Sequence, residues 1–151
     1  MKIAIGCDDV ALELKKSLKE HLNKKGYEVI DVGVKDKETT LYANIAEKLC
    51  KEITNGRCER GLLICGTGIG MAITANKIPG IRAAVAHDMF SLERMIMSND
   101  CQVLCMGARI IALESAKMLI DRWLEIKFID GPSTPKVKKI MQIESNYRNH
   151  V

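Results

Sequence analysis

Cys65 closes the apolar run Leu62-Leu63-Ile64 and opens directly onto Gly66-Thr67-Gly68-Ile69-Gly70. A strand that delivers a thiol to a glycine-rich turn sets it among backbone N–H groups at a helix N-terminus. Such a turn suits an oxyanion or a phosphate. The same position favours the thiolate and lowers a cysteine below its usual pKa of about 8.5. Cys65 is therefore a candidate nucleophile or general base. Thr67 adds a hydroxyl that either shuttles a proton or caps the helix. A tight strand–helix turn without a ligand, and a small core thiol, are the plain structural alternatives. No His–Asn arrangement favours hydrolysis, and thiol redox or acyl transfer is the weaker chemistry. The Gly-x-Gly-x-Gly spacing is not the dinucleotide fingerprint, and the phosphate-loop lysine is missing.

Asp8 and Asp9 form an adjacent carboxylate pair after another apolar run. One suits sugar hydroxyls and the other a helix cap. His87 also follows an apolar run and is an acid/base candidate, whereas His21 and His150 read as solvent-facing. Three histidines so scattered offer no metal cluster.

The elements that position these residues follow from alternating periodicities. Apolar runs at 2–7, 27–33, 60–65, 81–86 and 102–107 predict five strands. Between them lie amphipathic stretches: Leu12 to about Lys25, about Tyr42 to Thr54, Gly70 to about Lys77, about Asp88 to Ser98, and about Ser115 to Lys127. Gly26, Asn55-Gly56 and Pro79-Gly80 punctuate them. Strands alternating with helices predict a five-stranded parallel sheet in a three-layer α/β/α Rossmann-like sandwich, joined by right-handed crossovers. Ligands of such sheets sit beyond the carboxyl ends of the strands. That edge receives Asp8 and Asp9, Asp31 and Gly33, Cys65 and its turn, His87 and Asp88, and Gly107 and Arg109.

The chain reads as one domain, 1–151, with a core of about 1–128 and an interface segment of about 129–151. Pro132, Pro135 and Gly131 set that segment apart, and Val137, Ile140, Met141 and Glu144 give it a helical stripe. A terminal helix with nothing local to cover is expected to pack on another subunit, with packing on its own domain the alternative. The net charge of +4 suits an anionic metabolite but forms no basic stripe of a nucleic-acid module. Six cysteines without a Cys-x-x-Cys pair, and no targeting or membrane-spanning pattern, predict a reduced, cytoplasmic chain.

Across nearly its whole length the chain resembles the ribose-5-phosphate isomerase B family, which also contains the galactose-6-phosphate isomerase subunits. The resemblance rests on KIAIGCDD at 2–9, GYEVIDVG at 26–33, ICGTGIGMAITANKIPGIRAA at 64–84 and SNDCQVLCMGARI at 98–110. It implies aldose–ketose isomerisation of sugar phosphates without metal or organic cofactor. It implies a homodimer or tetramer with active sites shared between subunits. In that frame Cys65 resembles the base that moves a proton between C1 and C2 through a cis-enediolate. Gly66, Gly68, Ile69 and Gly70 resemble the enediolate cradle, and Thr67 a proton-transfer helper. Asp8, Tyr42 and Asn99 resemble sugar contacts, and Arg109 a phosphate-side ligand.

The chain departs from the family pattern elsewhere. Asp8-Asp9 replaces Asp-His, and Leu41-Tyr42-Ala43 replaces Asp-Tyr-Pro. Ser98-Asn99 replaces His-Asn, whose histidine is associated with furanose opening. Pro132-Ser133 stands where the tail has Arg-His, and Lys136 takes the later basic position without arginine's bidentate fork. Ribose 5-phosphate is the expected substrate. Galactose 6-phosphate, allose 6-phosphate, a tetrose phosphate, and a non-catalytic sugar-phosphate-binding subunit are the alternatives.

Overall fold

The computed structural model describes residues 1–148. Five strands form one sheet: β1 (Lys2–Cys7), β2 (Glu28–Asp31), β3 (Arg60–Cys65), β4 (Ala83–Val85) and β5 (Val103–Gly107). Six helices accompany them: α1 (Leu12–Lys24), α2 (Tyr42–Thr54), α3 (Ile69–Ala75), α4 (Met89–Met97), α5 (Leu113–Glu125) and α6 (Thr134–Arg148). A 3-10 turn at Asp9–Ala11 leads into α1. Among the described residues no helix is long and apolar enough to cross a membrane.

All paired strands are parallel, in the order β2-β1-β3-β5-β4. The links through α1 and α4 run toward the β2 edge, while those through α2 and α3 run toward the β4 edge. Right-handed crossovers put these two pairs on opposite faces. Accordingly α2 packs on α3, and α5 packs on both α1 and α4. The expected three-layer sandwich is the one observed.

The registers set Cys7 beside Ile64 and Cys65 beside Gly107, so the residues following β1, β3 and β5 share one edge. The chain turns left from β1 and returns right to β3, making the β1–β3 boundary the switch point where such sheets bind ligands. Asp8 and Cys65 end the two strands at that boundary.

Some elements are shorter than their apolar runs. Val32 and Val34 still donate to Ile5 and Cys7 carbonyls at 2.8 and 3.1 Å, but Asp31 turns back to accept the Gly33 amide at 3.0 Å and ends β2. β4 starts at Ala83 rather than at 81 because the Ile81 amide is already bonded to the Ile78 carbonyl in a turn. α3 stops at Ala75, where the Asn76 side chain leaves the helix to pair with both backbone groups of Ala83 at 2.8 Å.

The core is aliphatic, with Trp123 as its one fully buried aromatic side chain. Lys15 is the exceptional buried charge. Its ammonium reaches Asp31 at 3.1 Å and the Val34 carbonyl at 2.9 Å, fastening the loop that leads to α2. Burial alone would raise the Asp31 pKa, but Lys19, Lys15 and the Gly33 amide outweigh it and hold it low.

α6 touches its own domain through a few groups. Val137 is buried, Met141 meets Arg82, and the Glu144 carboxylate accepts the Gly80 amide at 3.0 Å. Ile140, Ile143 and Tyr147 of this helix remain exposed. His150 lies outside the described residues.

Candidate functional site

A cleft of about 480 Å³ opens at the switch point. Asp8 and Val10 line it after β1, Tyr42 at the start of α2, and Cys65, Gly66 and Thr67 after β3. Ile69, Gly70 and Ile73 come from α3, and Arg109 follows β5.

The turn after β3 depends on backbone shape. Gly68 has φ +80°, a left-handed conformation that glycine adopts without Cβ strain. Its amide donates to Cys65 Sγ at 3.1 Å, so the thiol and the turn form one hydrogen-bonded unit. The Thr67 hydroxyl is exposed and accepts the Ile69 amide at 3.3 Å. It supports the turn, while Gly68 occupies the helix-cap position.

The segment after β5 forms the floor. Ala108 N donates to Cys65 O at 2.8 Å, and Arg109 N donates to Gly66 O at 3.1 Å. Gly107 lies so close beneath the turn that an added Cβ would stand 2.6 Å from Thr67 Cα. His87 does not enter the cleft. Its Nε2 accepts the Gly107 amide at 2.8 Å, which requires the neutral ring protonated on Nδ1. Burial lowers the His87 pKa, against the opposing pull of Asp88. Asp88 caps α4 by accepting the Ser91 amide at 2.8 Å.

Asp8 carries a buried Oδ1 without a hydrogen-bond partner among the described residues. Burial, then the neighbouring Asp9 carboxylate, raises its pKa. A buried acceptor of this kind gains from a hydroxyl donor. Tyr42 lies against Gly70, whose hypothetical Cβ would be 2.6 Å from the ring, so glycine lets the phenol sit beside the turn. Cys7, Cys50 and Cys101 are held as thiols by burial, with pKa values pushed up to about 12, 12 and 11. Among the six cysteines, Cys65 is the one lining this cleft.

Asp8, Tyr42, Cys65, Gly66, Thr67, Ile69, Gly70 and Arg109 converge as expected, and Gly68 underlies them. Asp9 is exposed in the turn before α1 and does not line the cleft. Ser98 and Asn99 follow α4, which runs from the carboxyl end of β4 back to the amino end of the sheet. There Asn99 O accepts from Arg82, just before β4. Lys136 is exposed in the first turn of α6. These three residues therefore do not meet Cys65 within one protomer. Val10 and Ile73 went unforeseen. Ile73 could have been found one helical turn beyond Ile69, whereas Val10 carries no sequence signal of its own.

The family described as Ribose/Galactose Isomerase matches residues 3–140. The chain is 49% identical over 148 residues to "Ribose-5-P isomerase B" of Listeria innocua, covering 98% of this chain and 100% of that one. It is 45% identical over 141 residues to "D-erythrulose-4-phosphate isomerase" of Pectobacterium atrosepticum, covering 93% of each. The solved ribose-5-phosphate isomerase B of Clostridium thermocellum superposes with a TM-score of 0.94 at 40% identity, covering 97% of this chain and 99% of that one.

Proposed function

The chain belongs to the ribose/galactose isomerase family and is a sugar-phosphate isomerase, and from that premise we propose that Cys65 is the base of its aldose–ketose interconversion. The observation that carries this reading is the pairing of Cys65 Sγ with the Gly68 amide at the cleft mouth, beside the unpartnered Asp8 Oδ1.

In the proposed reaction the Cys65 thiolate removes the proton on the carbon next to the substrate carbonyl. Negative charge then develops on oxygen beside the 66–70 turn at the N-terminus of α3, whose Gly68 amide already donates to Cys65 Sγ and whose Ile69 amide donates to Thr67 Oγ1. Loss of one such preorganised donor typically costs about 3 kcal/mol of transition-state stabilisation. Cys65 returns the proton to the adjacent carbon. Asp8 accepts a substrate hydroxyl, Tyr42 borders the sugar, Thr67 assists proton transfer between oxygens, and Arg109 attracts the phosphate end.

Ser98, Asn99 and Lys136 enter this scheme from a second copy. They lie toward the amino end of the sheet, so only a neighbouring protomer can bring them to Cys65. The apolar rim of the cleft, Val10, Leu41, Tyr42, Ile69 and Ile73, is exposed in one protomer and suits such a contact. The 129–148 segment, with Ile140, Ile143 and Tyr147 exposed on α6, extends the proposed interface.

Ribose 5-phosphate is the first substrate, in line with the Listeria relative's name. Ser98 favours a second, a four-carbon 4-phosphate of the kind in the Pectobacterium relative's name. A serine hydroxyl does not act as an acid near neutral pH, unlike an imidazole. A tetrose 4-phosphate has its C4 oxygen esterified, so it cannot close a furanose ring and needs no acid to open one.

Coupled assays over tetrose, pentose and hexose phosphates test the reading. Turnover of one of them by the wild type, abolished in Cys65→Ala with substrate binding retained, is the expected result. Undiminished turnover in Cys65→Ala would remove the cysteine from its role, and no turnover by the folded wild type would favour the non-catalytic subunit.

A further inference from the structure

Among the described residues, Arg94 is a guanidinium without a counter-ion. Its Nε is buried and has no acceptor. Its terminal nitrogens meet only neutral neighbours, Ser98 Oγ at 3.4 Å and Met97 Sδ at 3.3 Å, and its Cζ lies 5.8 Å from the Phe90 ring centre. Arg57, Arg82 and Arg122 each hold a carboxylate, from Glu52, Asp100 and Glu93. Arg94 instead opens on a cavity of about 450 Å³ that it shares with Asn99, Ser91 and Asn76.

The buried Nε lacks an acceptor and the terminal nitrogens have only weak, neutral ones, so an anion on the open side of the guanidinium supplies the charged acceptor that the protomer does not. Guanidinium also matches phosphate geometry through parallel N–H donors. Position identifies the anion. Arg94 stands one helical turn before Ser98 on α4, and Asn99 Nδ2 donates to the Arg94 carbonyl at 2.9 Å. Arg94 thus lies in the group of residues that the proposed shared site brings to Cys65.

We propose that Arg94, with the Ser98 hydroxyl, binds the terminal phosphate of the substrate held in the Cys65 cleft of a second copy. The proposal rests on the isomerase reading and on the shared site. It adds a cation to the one that Lys136 places at the tail's later basic position. The small Ser98 side chain leaves room for phosphate beside the guanidinium, where an imidazole would stand. Shortening a sugar by one carbon draws its phosphate toward the reacting carbons, and Arg94 with Ser98 therefore selects for the shorter substrate.

Two measurements decide it. In turnover, Arg94→Ala lowers kcat/KM by about 10- to 100-fold, the effect expected of lost charge-assisted hydrogen bonds, chiefly through KM. Arg94→Lys restores part of it. Co-expressed Cys65→Ala and Arg94→Ala chains recover low-KM turnover, because one site of the mixed dimer has both residues intact. An unchanged KM in Arg94→Ala, or mixed dimers no better than Arg94→Ala alone, would overturn the proposal while leaving the isomerase reading in place. Independently of turnover, inorganic phosphate raises the Tm of the wild type and of Cys65→Ala, and does so much less for Arg94→Ala. An equal shift in Arg94→Ala overturns the proposal. Absence of turnover in the wild type would instead count against the isomerase reading, with the phosphate measurement still deciding Arg94.

Discussion

Gly107→Ala tests whether the position of the 65–70 turn sets the rate. The new Cβ would meet Thr67 Cα at 2.6 Å, Thr67 C at 2.7 Å and Gly66 O at 2.8 Å. All three are backbone atoms, so no side chain can swing away. Carbon atoms pack at about 3.5–4.0 Å, and the turn must therefore part from β5 by about 1 Å. The bonds from Ala108 N to Cys65 O and from Arg109 N to Gly66 O resist that motion. Overpacking of this kind costs about 1–3 kcal/mol, read as about 2–4 °C of Tm per kcal/mol in a chain of this size. The catalytic cost is larger, because a misplacement of about 1 Å can lower a rate about 100-fold. Gly107→Ala should thus lose about 100-fold in kcat with a modest fall in Tm, in the coupled assay on the best sugar phosphate. Ile120→Val, a buried change in α5, provides a control of about 0.5–1.5 kcal/mol without a catalytic defect. A Gly107→Ala enzyme that keeps kcat within about threefold of the wild type would refute this reasoning, because the turn would then tolerate displacement.

Two further outcomes concern pH. Asp8 has a folded pKa raised by burial and by Asp9, so its ionisation opposes folding as pH rises from its unfolded value through its folded one. Asp8→Asn should therefore raise Tm by a few degrees at pH 7, lose that advantage toward acid pH in calorimetry, and bind substrate more weakly. A Tm advantage that persists undiminished in acid would contradict the assignment. His87 has a folded pKa lowered by burial, so its contribution is present above its unfolded pKa of about 6.5 and is lost as pH falls through the lower folded value. NMR should show the Gly107 amide shifting over that acid range in the wild type but not in His87→Gln, whose side-chain oxygen accepts at any pH. A Gly107 shift unchanged in His87→Gln would reassign the titration, with Asp8 the carboxylate of the adjoining cleft.

The fold was legible because its cues are local. The apolar runs of β1 and β3 and the stripe of α2 end where the backbone does, and the β/α alternation forces parallel strands. Strand ends at β2 and β4 were less legible because side chains decide them: the Asp31 carboxylate turning to Gly33, and Asn76 pairing with Ala83. The Cys65 half of the cleft was legible through its glycine spacing. His87 was misjudged as an acid/base candidate because a sequence does not show that its Nε2 is spent on Gly107. Arg94 went unnoticed because a lone arginine on an amphipathic helix looks like any solvated charge. Only the lack of a carboxylate around it distinguishes it from Arg82 and Arg122.

The two ends of the sheet explain how one reaction type can accept different substrates. The proposed reaction chemistry lies at the switch point between β1 and β3, beside the glycine turn. That turn rests on its Gly107 floor, and close backbone contacts leave little room for substitution there. In the proposed shared site, substrate length is read by side chains after α4 and in the tail, lent to the cleft by a second copy. Ser98, Asn99 and Lys136 hold no core together, so their types can change without unfolding the domain. In the proposed shared site, Ser98 in place of an imidazole and Lys136 in place of a tail arginine would alter what the cleft holds while leaving Cys65 and its turn intact. The proposed role of Arg94 completes this division: its charge has no carboxylate partner among the described residues of its own protomer, and a substrate bridging two copies would supply an anion.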